Sequence, residues 1–302
     1  MATGRGASGP TKRDRREDAR EHARQMREEA AKKARRRRVV VQSSVIVAVV
    51  AVLAIVGVFI FNGVNASSNV ANPKNMLSGG ILLNSATQAV ATPAIAKGES
   101  ATPTTQKIDG KTANIVTYID YQCPVCQAFE GTNADQIKQW MSNGQATLEI
   151  HPVAILDNAS NKKYSTRSAA AASCVANFMP DKFYDITTAF YANQPDEQTG
   201  GGLSNAKILS LFKNAGVSSQ AITDCVNDQR FAPFITNQTK VAVGDPKLLN
   251  SSGQFGTPAV TVNGKRYNGS VTDATAFATF VQTTVEQAPT GSTSTPSPTL
   301  TK

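Results

Sequence analysis

Two cysteines stand three positions apart in the stretch YQCPVC, residues 121–126. Cysteines at this spacing exchange disulfides, ligate a metal or staple a chain, and their surroundings separate these roles. A zinc site needs four ligands, usually Cys and His. Beyond residue 61 the chain offers only four Cys and His151, and the other two cysteines, Cys174 and Cys225, lack a CxxC partner motif. No metal and no cofactor are therefore expected. A redox role needs a thiolate, and a helix N-terminus favours one because its unpaired N–H groups and macrodipole stabilise an anion. Pro124 suits the first helical turn, where its missing N–H would have had no partner. Cys123 is thus expected as the exposed sulfur that attacks or is attacked. Cys126, one turn on and shielded by the helix, is expected as the resolving thiol.

That chemistry requires a strand to deliver Cys123 and a helix to start there. ANIVTYID, residues 113–120, is β-branched and aromatic and predicts a buried strand ending just before the pair. CQAFEGTNADQIKQWM, residues 126–141, places Cys126, Phe129, Ile137, Trp140 and Met141 on one helical face. ATLEIHPVAIL, residues 146–156, predicts a second strand, with His151 as a satisfied core histidine. A strand, helix, strand unit favours a parallel pair with a right-handed crossover. Residues from about 161 to 250 are helical in character, with Ser204 and Ser218–Ser219 as N-caps and Gly216 as a stop. GTPAVTVNGKRYNG, residues 256–269, returns to strand pattern with Asn263-Gly264 as a hairpin turn, and residues 273–287 predict a closing helix. The fold class is α/β: a sheet domain over residues 108–287, interrupted by a helical insertion.

The rest of the chain says where this domain works. Residues 1–38 hold 14 Lys and Arg against 6 Asp and Glu, nearly the whole of the chain's net charge of +9. Both signs interleave without an apolar face or aromatic residues, so this basic tail reads as a solvated cytoplasmic segment and not as a nucleic-acid arm. Residues 39–61 carry no charge and would span about 34 Å as a helix, enough for a hydrocarbon core of about 30 Å. They are expected to form one transmembrane helix, with the N-terminus cytoplasmic and everything after it exported. A secretory signal cleaved after Ala66 is the competing reading. Residues 62–107, rich in Ala, Ser, Thr, Gly and Pro, are expected as a flexible linker, with GGILLN at 79–84 as an early edge strand. Residues 288–302 are expected as a disordered Ser/Thr/Pro tail. Exported thiols are open to oxidation.

The residues IVTYIDYQCPVCQAFE, together with GTPAVTVNG, resemble the DsbA-like branch of the thioredoxin-fold thiol:disulfide oxidoreductases, in the membrane-anchored Gram-positive form. The likeness covers about residues 110–287. It implies a thioredoxin fold with an inserted helical domain, and a cis bond between Thr257 and Pro258 facing the CxxC pair, so that the Thr257 backbone can pair with an extended substrate. It implies unfolded exported proteins with free thiols as substrates and a quinone-linked membrane re-oxidase as partner. It also implies a structural disulfide within the insertion, which here would join Cys174 and Cys225. Closing a loop of that length restricts the unfolded chain by about 4 kcal/mol on the entropic account. Two departures stand out. Val125 occupies the place where strongly oxidising relatives often carry a thiolate-stabilising His. Thr117 stands six residues before Cys123, where many thioredoxin-fold proteins bury an acid, leaving Asp120 and Glu130 as candidates for a proton relay.

The leading expectation is an extracytoplasmic oxidase that forms disulfides in exported proteins. A reductase or isomerase uses the same residues with a different potential. A non-catalytic envelope module that binds peptides is the third reading. It gives no reason for a disulfide across one helical turn, which closes too small a loop to restrict the unfolded chain much.

Overall fold

The computed structural model describes residues 71–158, 162–196, 201–287 and 292–294. The expected cytoplasmic tail at 1–38 and transmembrane helix at 39–61 lie outside the described residues, as does the linker up to residue 70. Among the described residues no helix is long and apolar enough to cross a membrane.

The chain runs β1 (Ile81–Ser85), β2 (Gln88–Ala89), β3 (Gln106–Ile108), β4 (Ala113–Ile119), α1 (Pro124–Ser142) and β5 (Ala146–Pro152). Five helices follow: α2 (Tyr164–Phe178), α3 (Phe183–Ala192), α4 (Asn205–Asn214), α5 (Gln220–Asn227) and α6 (Ala232–Gly244). Then come β6 (Ala259–Val262), β7 (Lys265–Arg266), α7 (Ala274–Glu286) and β8 (Ser292–Ser294). The main sheet has the order β2-β1-β5-β4-β6-β7. β4 and β5 pair in parallel, with Thr117 opposite Ile150, and β6 runs antiparallel to β4, with Thr117 opposite Val260. β4 is central and almost wholly buried, which its β-forming run from Ile115 to Ile119 permits.

α1 and α7 meet through Phe129 and Phe277, edge to face at 5.3 Å, with Trp140 tilted against the same Phe277 ring. α2 is buried on nearly every side, because its run Ala169–Ala172 presents only methyl groups and lets neighbours approach closely. Ser204 and Ser219 cap α4 and α5 by accepting from the N–H of Lys207 and Ile222, and Gly216 takes a left-handed φ of +78° just past α4. Asn263 and Gly264 turn β6 into β7 with φ of 47° and 78°, the conformation a type I′ hairpin demands.

Two stretches depart from their composition. Residues 71–107, expected as flexible linker, are built into the domain. β1 lies between β2 and β5 instead of at the sheet edge, and Met76, Ile81, Leu83 and Ile95 are core residues. Composition predicts flexibility for a segment that must order itself, whereas here β5 supplies a finished edge and the core a ready apolar surface. Glu149 on β5 fastens the same stretch, accepting from Ser78 Oγ and from Thr104 Oγ1 at 2.9 Å. Its third partner is His151 Nε2 at 3.1 Å, and the His151 ring stacks on Tyr118 with centroids 4.3 Å apart. His151 is therefore a partnered core histidine. In the expected disordered tail, Ser292–Ser294 pair antiparallel with β3. Ladder bonds are made by backbone groups, so a strand edge can recruit a segment poor in apolar side chains.

Candidate active site

β4 ends at Ile119, and four residues later Cys123 is the N-cap of α1 with extended backbone and no side-chain cap bond. Pro124 follows at the first helical position. The turn is closed by Cys123 N–H donating to Asp120 O at 2.9 Å. The cis Thr257–Pro258 peptide comes in from the loop before β6, and the Cys123 thiol donates to Thr257 O at 3.3 Å. Residues 134 positions apart in sequence thus meet at the sulfur.

The expectation of an openly exposed Cys123 needs correcting. It keeps only 6% of its surface, against 1% for Cys126, while Val125 beside it is 47% exposed. Both cysteines are free thiols.

The two sulfurs are electrostatically unequal. The Cys123 thiol is lowered from its ordinary value to about 6, first by a hydrogen bond from the Cys126 thiol. Burial opposes this, and the Thr257 side chain and the N–H groups of Cys126 and Val125 add to it. Thr257 Oγ1 is buried, and among the described residues it has no hydrogen-bond partner. The helix start therefore contributes as expected, but the larger share comes from Cys126 acting as donor. Cys126 is pushed well up by burial and by its bond to Cys123. Cys126 therefore holds its proton to a higher pH than Cys123 does.

Two acids stand near the pair in different settings. Asp120 is fully buried and pushed up to about 7 by burial, although Gln122 N–H donates to Oδ1 at 2.9 Å and Ile155 and Leu156 N–H donate to Oδ2 at 2.8 and 3.1 Å. Glu130 is also pushed up to about 7, by burial alone. It lines a cavity of about 10 Å³ with Cys126, Thr117, Phe129, Tyr184 and Thr187, a space on the scale of one water molecule. Thr117 leaves room there that a buried acid would otherwise fill. Among the described residues no group of three or more His, Cys, Asp or Glu is placed to hold a metal ion.

Cys174 on α2 and Cys225 on α5 are joined in a disulfide within the helical insertion, both wholly buried. Two further residues that bear on the site carry no sequence signal. Tyr191 and Gln194, at the end of α3, donate to backbone carbonyls of the turn that holds Cys123. They lie about 70 positions away in an ordinary helical pattern, and only the packed fold brings them in.

Comparison with known proteins agrees with this geometry. The thioredoxin family model matches residues 109–282. DsbA from Mycobacterium tuberculosis, in its reduced form, is similar at 28% identity and TM-score 0.51, over 70% of this chain and 94% of that one. BdbD from Bacillus subtilis shares the fold at 16% identity and TM-score 0.50, over 72% of this chain and 98% of that one. The serine/threonine-protein kinase PknE of Mycobacterium tuberculosis is 31% identical over 142 residues, 46% of this chain. The chain spans only 24% of that kinase. Since the family model spans more than half of its residues, the chain belongs to the thioredoxin family, in the DsbA-like branch of thiol:disulfide oxidoreductases.

Proposed function

We propose that the protein is an extracytoplasmic oxidase, anchored through residues 39–61, that forms disulfides in unfolded exported proteins carrying free thiols. The observation that supports this most is the unequal pair at the start of α1, with the Cys123 thiol lowered to about 6 and the Cys126 thiol pushed well up. In the oxidised enzyme a substrate thiolate attacks Cys123 Sγ, the bond between the two cysteines breaks, and the electron pair leaves on Cys126 Sγ, which takes a proton. A second substrate thiolate then attacks the substrate sulfur of the mixed disulfide and expels Cys123 as a thiolate. The substrate gains a disulfide and the enzyme holds two electrons as a dithiol. A low-pKa leaving group speeds that second step and stabilises the reduced enzyme, which makes it an oxidant. The Thr257 backbone holds the extended substrate beside Pro258, and a quinone-linked membrane partner removes the two electrons.

Glu130 supplies the proton to Cys126 and recovers it on re-oxidation. Its carboxyl titrates near neutrality and shares a water-sized cavity with that sulfur, whereas the Asp120 oxygens already accept three backbone N–H bonds. Glu130→Gln is expected to slow peptide oxidation at pH 7 by about a hundredfold or more, the lower end of the scale of acid–base assistance. Asp120→Asn should slow it much less. Equal slowing in both, in stopped-flow oxidation of a dithiol peptide, would remove Glu130 from this role.

The test of the whole reading is the Cys123 thiol itself. Alkylation of the reduced protein is expected to rise with pH through a midpoint near 6 and then level off, because only the thiolate reacts. Equilibration with glutathione should place the pair between about −180 and −120 mV. A more negative potential would make the protein a reductant, and a Cys123 unreactive from pH 6 to 8 would leave no redox centre.

A further inference from the structure

The turn that carries Cys123 is held from outside the sheet. Residues 120–123 have left β4, so their carbonyls must find donors elsewhere. Asp120 O accepts from Cys123 N–H at 2.9 Å and from Tyr191 OH at 3.4 Å. Tyr121 O accepts from Gln194 Nε2 at 3.0 Å. Cys123 O accepts from Gln127 N–H at 3.1 Å and from the same Gln194 Nε2 at 3.1 Å. The attachment is reciprocal. Gln127 Nε2, in the first turn of α1, donates to Tyr191 O at 2.8 Å. Tyr121 OH is hydrogen-bonded to Thr187 Oγ1 at 3.0 Å, and its ring packs on Phe190 with centroids 4.5 Å apart.

Thr187, Phe190, Tyr191 and Gln194 all belong to α3 or the residues just after it, in the helical insertion. Gln194 differs from its neighbours. It lies beyond the last helical residue and is only half-buried, so it adds little to the core. Its side-chain nitrogen has two N–H groups, and the two carbonyls it reaches flank Gln122 on either side.

We infer that Gln194 is a positioning residue of the redox centre, whose single amide bridges the Tyr121 and Cys123 carbonyls and lets the helical insertion fix the turn from which the reactive sulfur projects. The inference rests on the reading of Cys123 as the reactive thiol. Its physical basis is that several weak donors must converge on one atom. The N–H groups of Val125 and Cys126 and the Thr257 hydroxyl act on Cys123 Sγ only while the turn keeps its shape. Without Gln194 the Tyr121 carbonyl loses its donor and the Cys123 carbonyl keeps only Gln127 N–H, which changes the dipole field at the sulfur. The Gln194 bridge prevents that change.

The experiment uses the full-length reduced chain and compares Gln194→Leu and Gln194→Glu with the wild type. It measures iodoacetamide alkylation of Cys123 from pH 5 to 9, alongside thermal melting. Gln194→Leu keeps the bulk and removes both donors. Alkylation at pH 6 is expected to fall roughly threefold, which is what a roughly fivefold smaller acid constant, the equivalent of about one lost hydrogen bond, gives at the wild-type midpoint, and the profile to move to higher pH. Gln194→Glu puts an acceptor against two carbonyl oxygens when ionised, so its rate relative to wild type should be lowest at about pH 6–7, where the wild-type thiol is largely ionised and the shifted one is not. That ratio should recover as the pH falls and a protonated carboxyl regains one donor. This pH-dependent recovery, absent in Gln194→Leu, is what a merely structural residue would not give. If both variants melt lower but their alkylation profiles superimpose on that of the wild type, Gln194 serves stability alone and the inference is overturned. A wild-type Cys123 inert across this range would instead bring down the oxidoreductase reading, and this inference with it.

Discussion

Cys123→Ser is expected to reduce oxidation of a dithiol test peptide by at least about 10³-fold, to the background rate of the buffer. The reasoning concerns the atom, not the geometry. At pH 7 a thiol titrating near 6 is mostly thiolate, whereas a serine hydroxyl at the same place is neither ionised nor able to form a disulfide. Cys126→Ala should behave differently, because Cys126 is the first contributor to the lowered Cys123 value. Cys123 should then still be alkylated, but along a profile moved to higher pH, and peptide oxidation should fail for want of a resolving sulfur. Linkage gives an independent check. A thiol whose folded value is depressed stabilises the reduced form fully above its unfolded value, near 9, and loses that contribution as pH falls through about 6. Melting of the reduced relative to the oxidised protein should therefore improve as pH rises across that window. Wild-type peptide oxidation by Cys123→Ser would show that the pair is not the redox centre.

The sequence shows the site only as far as local physics reaches. The strand into Asp120, the helix start at Pro124, the serine caps at 204 and 219 and the Asn263-Gly264 turn depend on neighbours within a few positions, and these were readable. The meeting of Thr257 with Cys123 across 134 positions was not. It followed from a family likeness, since no short-range pattern says which loop covers a helix start. The segment 71–107 shows the opposite failure, because Ile81, Leu83 and Ile95 are too sparse to drive order alone but need only join an existing core. The origin of the Cys123 charge was half legible. Helix-start amides are inferable from Pro124, whereas the dominance of the Cys126 thiol depends on rotamers that only packing fixes. Gln194 was invisible for the same reason as Tyr191: a polar residue at a helix end reads as solvated until something is folded against it.

Removing the second cysteine pair tests how far the helical insertion is independent of the redox centre. Cys174→Ala with Cys225→Ala opens a link spanning 51 positions between α2 and α5. The entropic account predicts a loss of about 4 kcal/mol, which for a domain of about 200 residues lowers the melting temperature by roughly 8–16 °C. Both sulfurs are wholly buried, so the alanines also leave small voids, and the loss should lie at or above this figure. The fastening of the Cys123 turn to α3 uses none of these atoms. Below the transition, the Cys123 alkylation profile and the peptide oxidation rate should therefore match those of the wild type. A melting temperature within about 2 °C of wild type would mean that the unfolded chain was already compact enough to make the link redundant. An altered Cys123 profile at low temperature would mean that α2 and α5 reach the redox turn through α3, and that the disulfide helps to tune the centre as well as to staple the insertion.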